Sequence, residues 1–339
     1  MTLGKLTDQL HLCFQSRQED PTLLGCNAYR LFNGFYEGAP GLVIDRFAST
    51  IVISNHSRQP EILDGIVDQV VKICLIDLPW IESILHKTRH STDSEERKGR
   101  LLHGQELPTE ISEHSVRYAI DLRLNQDDSF YVDTRNLRNW LTQNSLGKSA
   151  LNCFAYTGSL GIAALAGGAA TLIQTDLNAE ALALSERSHT LNGFTHEMTL
   201  LKRDFFSAVN AFKKADSLFD TVIIDSPFFS STRYGKVDLQ KQHSQLINKV
   251  RPLVAHEGSL IVINNALYVP GKQIIDEIIE MSKSGYISLE SIIEIPADIT
   301  GYPETIQGQP PADPAPFNHP TKISILKVAR KDQRSANNH

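Results

Sequence analysis

The chain has 339 residues, which allows one large domain or two ordinary ones. Hydrophobic residues make up 41% and charged residues 21% of the chain, which excludes global disorder and predicts a sizeable core. The formal net charge of −6 argues against binding of nucleic acid over the whole surface, but it is compatible with a local basic patch.

Neither a membrane segment nor a secretory signal is predicted. No run reaches the roughly 18 consecutive apolar residues of a membrane helix, and the N-terminus shows no basic region followed by an apolar core. The four cysteines are scattered without a Cys-x-x-Cys pair, which favours reduced thiols and disfavours a structural zinc site. We therefore expect a cytoplasmic protein without a bound metal.

Short strands and turns dominate the first part of the chain. Residues 41–47 and 50–55 are two β-rich runs joined by a brief turn, which is the pattern of a hairpin. Apolar residues at helical spacing predict a helix over 60–77. Further strands are expected over 82–85 and 116–122. This combination of elements predicts a small α+β domain.

Strands and helical segments alternate in the second part of the chain. The strands are predicted at 150–154, 171–175, 198–202, 219–224, 259–263 and 322–328. Such alternation is typical of βαβ units and of a mostly parallel sheet. We therefore predict an α/β domain over 125–330. The α+β domain, a candidate RNA-binding module, precedes it over 1–124, and a flexible tail follows at 331–339.

Four consecutive strand ends carry residues that suit one ligand. In an open parallel sheet, ligands bind at the carboxyl ends of the strands. The first strand leads into a turn with Gly158 and Gly161, and the next three end at Asp176, Asp204 and Asp225. The amides of such a turn suit a carboxylate, while acids on the next two strands suit ribose hydroxyls and an adenine amine. Together these groups predict a site for S-adenosylmethionine.

Each of these signals has a structural alternative when it is taken alone. A Gly-x-x-Gly turn is more often structural than ligand-binding, and Asp176 or Asp204 could equally cap a helix. A nicotinamide dehydrogenase would require Gly-x-Gly-x-x-Gly, which the Thr-Gly-Ser-Leu-Gly turn at 157–161 does not match. The joint occurrence of the signals at successive strand ends favours the methyl donor.

Residues 152–159 read Asn-Cys-Phe-Ala-Tyr-Thr-Gly-Ser. This segment resembles the first motif, Asn-x-Phe-x-Tyr-Thr-Gly, of the large-subunit ribosomal RNA methyltransferases I and K, which act on cytosine C5 and on guanine N7. Residues 129–135 resemble the segment that closes over the cofactor in those enzymes, and 29–34 with 41–46 resemble their hairpin-containing domain. The resemblance covers about residues 27–329. It implies a Rossmann-like class I methyltransferase fold with a seven-stranded, mostly parallel sheet.

Enzymes of this family often carry an N-terminal PUA domain. Only about 25 residues precede the resemblance here, so we expect that RNA-binding module to be missing. The resemblance, together with the strand-end argument, implies these cofactor-binding residues: Tyr131, Arg135, Phe154, Tyr156, Thr157, Gly158, Asp176, Leu177, Asp204, Phe205 and Asp225.

The fourth motif departs from the family pattern. The family has Asp-Pro-Pro-x-Phe, whereas this chain has Asp-Ser-Pro-Phe-Phe at 225–229. After the fifth strand, Asn264 and Asn265 follow where the cytosine-C5 enzymes carry a catalytic cysteine. Methylation at cytosine C5 needs a thiolate that adds to C6, whereas guanine N7 is already nucleophilic. Guanine N7 or an exocyclic amine is therefore favoured over cytosine C5.

Four residues are expected to hold the target base: Asp225, Pro227, Phe228 and Asn264. Pro227 would stiffen the turn, Phe228 would stack on a flipped base, and Asn264 would offer a donor and an acceptor. The alternative is that Phe228 and its neighbour Phe229 fill core between the sheet and a helix.

The expected cofactor is S-adenosylmethionine and the expected partner is RNA, either 23S ribosomal RNA or a ribosomal precursor. Two other functions stay open at this point. The first is methyl transfer to a small molecule or a protein, which the acidic net charge keeps plausible. The second is RNA or cofactor binding without catalysis, which the altered fourth motif suggests.

Overall fold

The computed structural model describes residues 3–232 and 234–330, so the tail predicted at 331–339 lies outside the described residues. Among these residues, 3–135 and 296–310 form one compact unit, and 136–295 with 311–330 form a second. The domain boundary proposed from the sequence, between residues 124 and 125, lies earlier in the chain. No helix in the described part is long and apolar enough to cross a membrane.

The first half of the chain folds into short elements. In chain order they are α1 Leu3–Glu19, β1 Ala28–Asn33, α2 Gly34–Glu37, β2 Leu42–Phe47, β3 Thr50–Asn55, α3 Glu61–Asp77, β4 Ser83–Thr88, α4 Ser94–Lys98, β5 Arg100–His103, β6 Glu110–Glu113 and β7 Val116–Ala119.

The second half alternates strands and helices as predicted. Its elements are α5 Arg135–Asn144, β8 Ser149–Cys153, α6 Ser159–Ala166, β9 Thr171–Asp176, α7 Ala179–Leu191, β10 Glu197–Lys202, α8 Phe205–Lys214, β11 Phe219–Asp225, β12 Phe229–Thr232, β13 Gly235–Asp238, α9 Leu239–Val250, β14 Val254–Asn264, α10 Gly271–Ser282, β15 Ile287–Ile293, α11 Ala297–Thr300 and β16 Lys322–Val328.

The first unit contains a five-stranded sheet in the order β1-β2-β3-β4-β5. The predicted hairpin is confirmed, because β2 and β3 pair antiparallel with Phe47 opposite Thr50. The buried faces of the sheet and of α1 and α3 supply a separate apolar core for this unit. The long helix α1 and the strand β1 were absent from the prediction.

A buried ion pair holds residues 296–310 against the rest of the first unit through hydrogen bonds. The Arg17 guanidinium donates to both carboxylate oxygens of Glu37 at 2.6 and 3.0 Å, and both side chains are fully buried. Arg17 also donates to the carbonyl of Asp298 at 2.7 Å, and the Thr305 hydroxyl donates to Glu37 at 2.6 Å. Buried charges with several partners of this kind fix one geometry, which explains why this late segment belongs to the first unit.

The second unit is built on a seven-stranded sheet in the order β10-β9-β8-β11-β14-β16-β15. The first five strands are mutually parallel, and β16 runs antiparallel to them. The edge strand β15 is antiparallel to β16, so it has the same direction as the first five. The predicted Rossmann-like, mostly parallel sheet is therefore confirmed. The central strands are buried on both faces, so their runs are continuously apolar, as in Val222, Ile223 and Ile224. This arrangement brings the carboxyl ends of five strands to one edge.

Candidate functional site

The turn after β8 opens the carboxyl edge of the sheet. Phe154, Tyr156 and Gly158 all have positive φ, at 57°, 51° and 79°. Positive φ is costly for the two aromatic residues, and such strain concentrates at functional sites. Thr157 between them is buried. Gly158 occupies the N-cap position of α6, so the free backbone amides of the helix start lie at this edge.

The two glycines of this turn are also required by packing. A Cβ on Gly158 would lie 2.3 Å from the Ser185 Oγ, and one on Gly161 would lie 2.5 Å from the Gln174 Oε1. Gln174 is fully buried, donates to Ser185 and accepts from Asn152 at 2.9 Å. The packing role of the Gly-x-x-Gly turn therefore has direct support, and the same turn also forms the start of α6, which has no side-chain cap.

Asp176 connects the first two strand ends. One carboxylate oxygen accepts the backbone N–H of Tyr156 and the other accepts that of Asn178, both at 2.8 Å. Asn178 caps α7 as predicted, by accepting two further backbone N–H groups. A carboxylate has about four lone-pair sites, so Asp176 keeps acceptor capacity for ribose hydroxyls. The next residue, Leu177, is half exposed at the same edge.

Asp204 acts as a helix cap in the structure. Its carboxylate accepts the backbone N–H groups of Phe206 and Ser207 at the start of α8, at 2.9 and 3.2 Å. The other oxygen accepts the Thr232 hydroxyl at 2.8 Å, and the residue is buried. The capping alternative is therefore what the geometry shows for Asp204, while recognition of an adenine amine by this side chain stays a prediction.

Aromatic stacking brings the first and third strand ends together. The rings of Phe154 and Phe205 are stacked with their centroids 4.7 Å apart. Phe205 is buried, so this pair forms an apolar wall beside Asp204. A flat ring such as adenine would find both an apolar surface and polar strand ends there.

The end of β11 presents aromatic side chains to solvent. Phe228 is 49% exposed and Phe229 is 56% exposed, and Pro227 between β11 and these rings is also exposed. These exposures contradict the alternative in which Phe228 and Phe229 fill core. Asp225, the last residue of β11, is partly buried. The turn therefore offers a free aromatic face next to a carboxylate.

The ends of β11 and β14 hold buried polar atoms for which the described residues provide no hydrogen-bond partner: Ser226 Oγ, Asn264 Nδ2 and Asn265 Oδ1. Ser226 was not among the predicted site residues. The sequence did offer a signal for it, because serine stands there in place of the proline of the family motif. Lys322 was also missed. It is 1% exposed and its ammonium donates to the carbonyls of Ala266 at 2.9 Å and of Pro320 at 2.6 Å.

Tyr131 and Arg135, two predicted cofactor ligands, lie in the first unit. Tyr131 is partly exposed and its hydroxyl donates to Asp127 at 3.3 Å. The Arg135 guanidinium is buried and donates to both carboxylate oxygens of Asp298, which is itself fully buried. The structure thus gives Arg135 a carboxylate partner within its own unit, and its contact with the cofactor stays a prediction.

All four cysteines are buried free thiols. Cys153 lies inside β8 with no exposed surface, and burial raises the pKa of its thiol to about 12. A thiol in that state is a poor nucleophile at neutral pH. In the part of the chain that the structure describes, no three His, Cys, Asp or Glu side chains are placed to hold a metal ion.

Curated relatives of the chain are ribosomal RNA methyltransferases by name. The Ribosomal RNA large subunit methyltransferase I of Aeromonas salmonicida is 30% identical over 228 residues, which are 66% of this chain and 57% of the relative. The protein of that name from Aliivibrio fischeri is 30% identical over 245 residues, or 69% of this chain and 62% of the relative. The chain therefore spans less than two thirds of the length of these relatives.

Solved structures and a family profile agree on the fold. A protein from Streptococcus mutans described as an S-adenosylmethionine-dependent methyltransferase superposes with a TM-score of 0.80 at 21% identity, over 97% of this chain and 82% of that one. The methyltransferase SMU.776, solved in complex with SAH, gives 0.78 at 22% identity, over 95% and 82%. The profile of the S-adenosylmethionine-dependent methyltransferases matches residues 55–299, more than half of the chain. The chain therefore belongs to the S-adenosylmethionine-dependent methyltransferase family.

Proposed function

We propose that this protein transfers a methyl group from S-adenosylmethionine to a base of ribosomal RNA, at guanine N7 or at an exocyclic amine rather than at cytosine C5. The half-exposed Phe228 carries the proposal, because a ring with about half of its surface open to solvent at the end of β11 suits stacking on a flipped base. The names of the curated relatives support ribosomal RNA as the substrate class.

The residues at the strand ends fit the proposed cofactor. The free amides at the start of α6 suit the carboxylate of its amino-acid part, and Asp176 keeps lone pairs for its ribose hydroxyls. The stacked rings of Phe154 and Phe205 suit its adenine face. When bound, the cofactor supplies an electrophilic methyl group on a sulfonium.

The chain itself contributes orientation of the base to the reaction. Phe228 would hold the base by stacking, while Pro227 restricts the backbone of the turn that carries the ring. Asp225 would accept a hydrogen bond from the base, and Asn264 would donate one through Nδ2. Holding a reactive base atom in line with the donor replaces a slow bimolecular encounter by an oriented step. Such a reaction needs no enzyme nucleophile when the base atom already carries a lone pair.

The lack of a usable thiol favours some base atoms over others as the methyl acceptor. Methylation at C5 of a pyrimidine needs a cysteine thiolate beside the donor. The ends of β11 and β14 carry none in the sequence, and Cys153 is buried with a raised pKa. This chemistry favours guanine N7, which is nucleophilic without activation, or an exocyclic amine whose N–H group can donate a hydrogen bond to Asp225.

The test compares ribosomal RNA nucleosides from wild-type and deletion cells by mass spectrometry. We expect one methylated nucleoside to be missing in the deletion strain and to return when purified protein and S-adenosylmethionine are added to that RNA. A missing 5-methylcytidine would contradict the choice of atom. Unchanged ribosomal RNA would contradict the proposal and would favour a small-molecule or protein substrate, or RNA binding without catalysis.

A further inference from the structure

Three positive side chains lie together on α8, α9 and the turn that follows α9. Lys213 is in the last turn of α8, and Lys249 is in the last turn of α9. Arg251 opens the short helical turn Arg251–Leu253, which contacts α8. Each of the three side chains is partly exposed, so each can meet a ligand from solvent. We call these three residues the basic cluster.

The charges of the basic cluster act on one another. Burial lowers the pKa of Lys213, and the positive charges of Lys249 and Arg251 lower it further. Within the part of the chain that the structure describes, none of the three side chains forms an ion pair or a hydrogen bond. Like charges grouped without a counter-ion raise the free energy of the folded state, and a bound anion removes that cost. The basic cluster therefore favours an anion.

Aromatic rings hold two of these cations in place. The Arg251 guanidinium lies 4.6 Å from the centroid of the Tyr286 ring, and the Lys249 ammonium lies 5.5 Å from that of Phe206. Such contacts orient a cation and leave N–H donors free for an anion. A phosphate has several acceptor oxygens, so a guanidinium and ammonium groups can bind it together. RNA carries one such group at each nucleotide of its backbone.

Further contacts connect the basic cluster with the proposed base site. Phe206 packs against the β12–β13 hairpin, because a Cβ on Gly235 would lie 2.5 Å from its ring. On that hairpin, the Lys236 ammonium lies 4.9 Å from the centroid of the Phe229 ring, the neighbour of the proposed stacking ring. Lys236 also pairs loosely with Asp238, at 3.6 Å. Positive side chains thus continue from the proposed base site along α8, as expected for a surface that follows a nucleic-acid backbone.

We propose that the basic cluster binds the phosphate backbone of the RNA strand that presents the target base. This inference rests on the proposed function and deepens it, because it names a second surface of contact with RNA. Phosphate contacts fix the register of a strand and carry no base specificity. They also reconcile an RNA substrate with the net charge of −6, since the positive charge is local.

The two lysines have an alternative explanation. The negative end of a helix dipole attracts a cation, and Lys213 and Lys249 each lie at such an end. If that is their role, they stabilise the fold in the absence of RNA. If they bind phosphate instead, their mutual repulsion leaves the free protein no more stable than a variant without them. RNA affinity and thermal stability together distinguish the two explanations.

The decisive variant is the double substitution Lys213→Gln/Lys249→Gln. Its matched control is Lys272→Gln/Lys283→Gln, which removes the same charge from lysines that each pair with an acidic neighbour. Fluorescence anisotropy measures the binding of a labelled single-stranded RNA oligonucleotide at a series of salt concentrations. Each phosphate contact with a single strand adds about 0.7 to the slope of log Kd against log salt concentration.

We expect the salt slope to fall by about 1.4 in Lys213→Gln/Lys249→Gln and to keep the wild-type value in the control. At about 0.1 M salt this change corresponds to roughly 25-fold weaker binding of the RNA. In methyl transfer to ribosomal RNA, the KM for RNA should rise in the double variant while kcat stays unchanged, because the basic cluster holds the strand and not the target base. An unchanged salt slope in the double variant would overturn the inference.

Thermal unfolding without RNA tests the helix-dipole explanation. We expect the Tm of Lys213→Gln/Lys249→Gln at low salt to equal or exceed that of the wild type, because the repulsion is removed. A fall in Tm together with an unchanged salt slope would assign the lysines to the helix ends. If inorganic phosphate raised the Tm of the wild type but not of the double variant, while RNA affinity was the same in both, the ligand would be free phosphate and the inference would be wrong.

Failure of this inference differs from failure of the proposed function. A salt slope that falls in the double variant, in a protein whose deletion leaves ribosomal RNA methylation unchanged, would keep the RNA site and refute ribosomal RNA as the methyl acceptor. Methylated ribosomal RNA, with equal salt slopes for the wild type and the double variant, would keep the substrate and refute the basic cluster as an RNA site.

Discussion

Replacing Phe228 by alanine separates recognition of the base from stability of the fold. The side chain is 49% exposed, so its removal exposes little new apolar surface and should cost about 1 kcal/mol of stability or less. Stacking of an aromatic ring on a base contributes about 1–3 kcal/mol, which corresponds to a loss of roughly 5- to 150-fold in kcat/KM. Affinity for S-adenosylmethionine should not change, because the ring is proposed to contact the base and not the cofactor.

Phe205→Ala is the matched control for this experiment. Phe205 is 4% exposed and stacks on Phe154, so its truncation should cost about 3–5 kcal/mol, the range for a buried phenylalanine. Urea unfolding measures the stability of both variants, and transfer of labelled methyl groups to ribosomal RNA from deletion cells measures activity. Phe228→Tyr keeps a stacking face and should keep most of the activity. The reasoning fails if Phe228→Ala unfolds as easily as Phe205→Ala while its folded fraction methylates RNA normally.

Three further predictions address the cofactor, the thiol and the first unit. Asp176→Ala should weaken S-adenosylmethionine binding by about 1.5–3 kcal/mol, the range for hydrogen bonds to a charged group, and unchanged affinity by calorimetry would contradict the ribose assignment. Cys153→Ala should retain methyl transfer if it folds, whereas trapping of the wild-type protein on RNA that contains 5-fluorocytosine would revive the C5 reaction. Arg17→Met should cost about 3–5 kcal/mol in urea unfolding because it strands the buried Glu37 carboxylate, and a loss below 1 kcal/mol would show that the pair is dispensable.

The sequence predicted those parts of the fold that depend on local periodicity. The alternation of apolar strands with helices after residue 150 predicted the parallel sheet. The Asn178 cap was predicted because an Asn side chain just before a helix accepts hydrogen bonds from the first backbone N–H groups of that helix. The helix α1 escaped prediction because its buried positions include Gln9, Ser16 and Arg17, so its apolar stripe is interrupted. The return of residues 296–310 to the first unit depends on Asp298 and Thr305 pairing with residues far away in sequence, and no local pattern reports such contacts.

In the candidate site too, features set by local sequence were predicted, and those that depend on contacts between distant residues were not. Asp176 and Phe228 were predicted correctly as strand-end residues because the carboxyl edge of a parallel sheet follows from topology alone. The cap formed by Asp204 and the ion pair between Arg135 and Asp298 depend on which donors happen to lie nearby, so sequence reasoning could only leave them open. The departure at Ser226 was visible in the sequence, but only the structure shows that its hydroxyl is buried without a partner among the described residues.

Because of Lys322, the free energy of unfolding should rise with pH in the alkaline range. Burial lowers the pKa of its ammonium from the ordinary 10.5 to about 8. The folded protein therefore releases this proton near pH 8, while the unfolded chain keeps it up to about pH 10.5. Between these values the unfolded state holds more protons, so this group makes stability rise with pH, by about 3 kcal/mol across the whole window.

Substitution by methionine isolates this contribution. Lys322→Met removes the buried charge, so its stability relative to wild type should be most favourable near pH 7 and should decline as pH rises towards 10. Loss of the hydrogen bonds to the carbonyls of Ala266 and Pro320 lowers the unfolding free energy of the variant by a constant amount while the wild-type lysine is charged. It therefore does not change how the difference from wild type varies with pH. Lys327→Met, on the same strand but partly exposed, is the control for the loss of a lysine side chain from β16. Parallel curves of unfolding free energy against pH for wild type and Lys322→Met would show that the lysine keeps its ordinary pKa, and that the ammonium beside Asn264 is solvated or paired in solution.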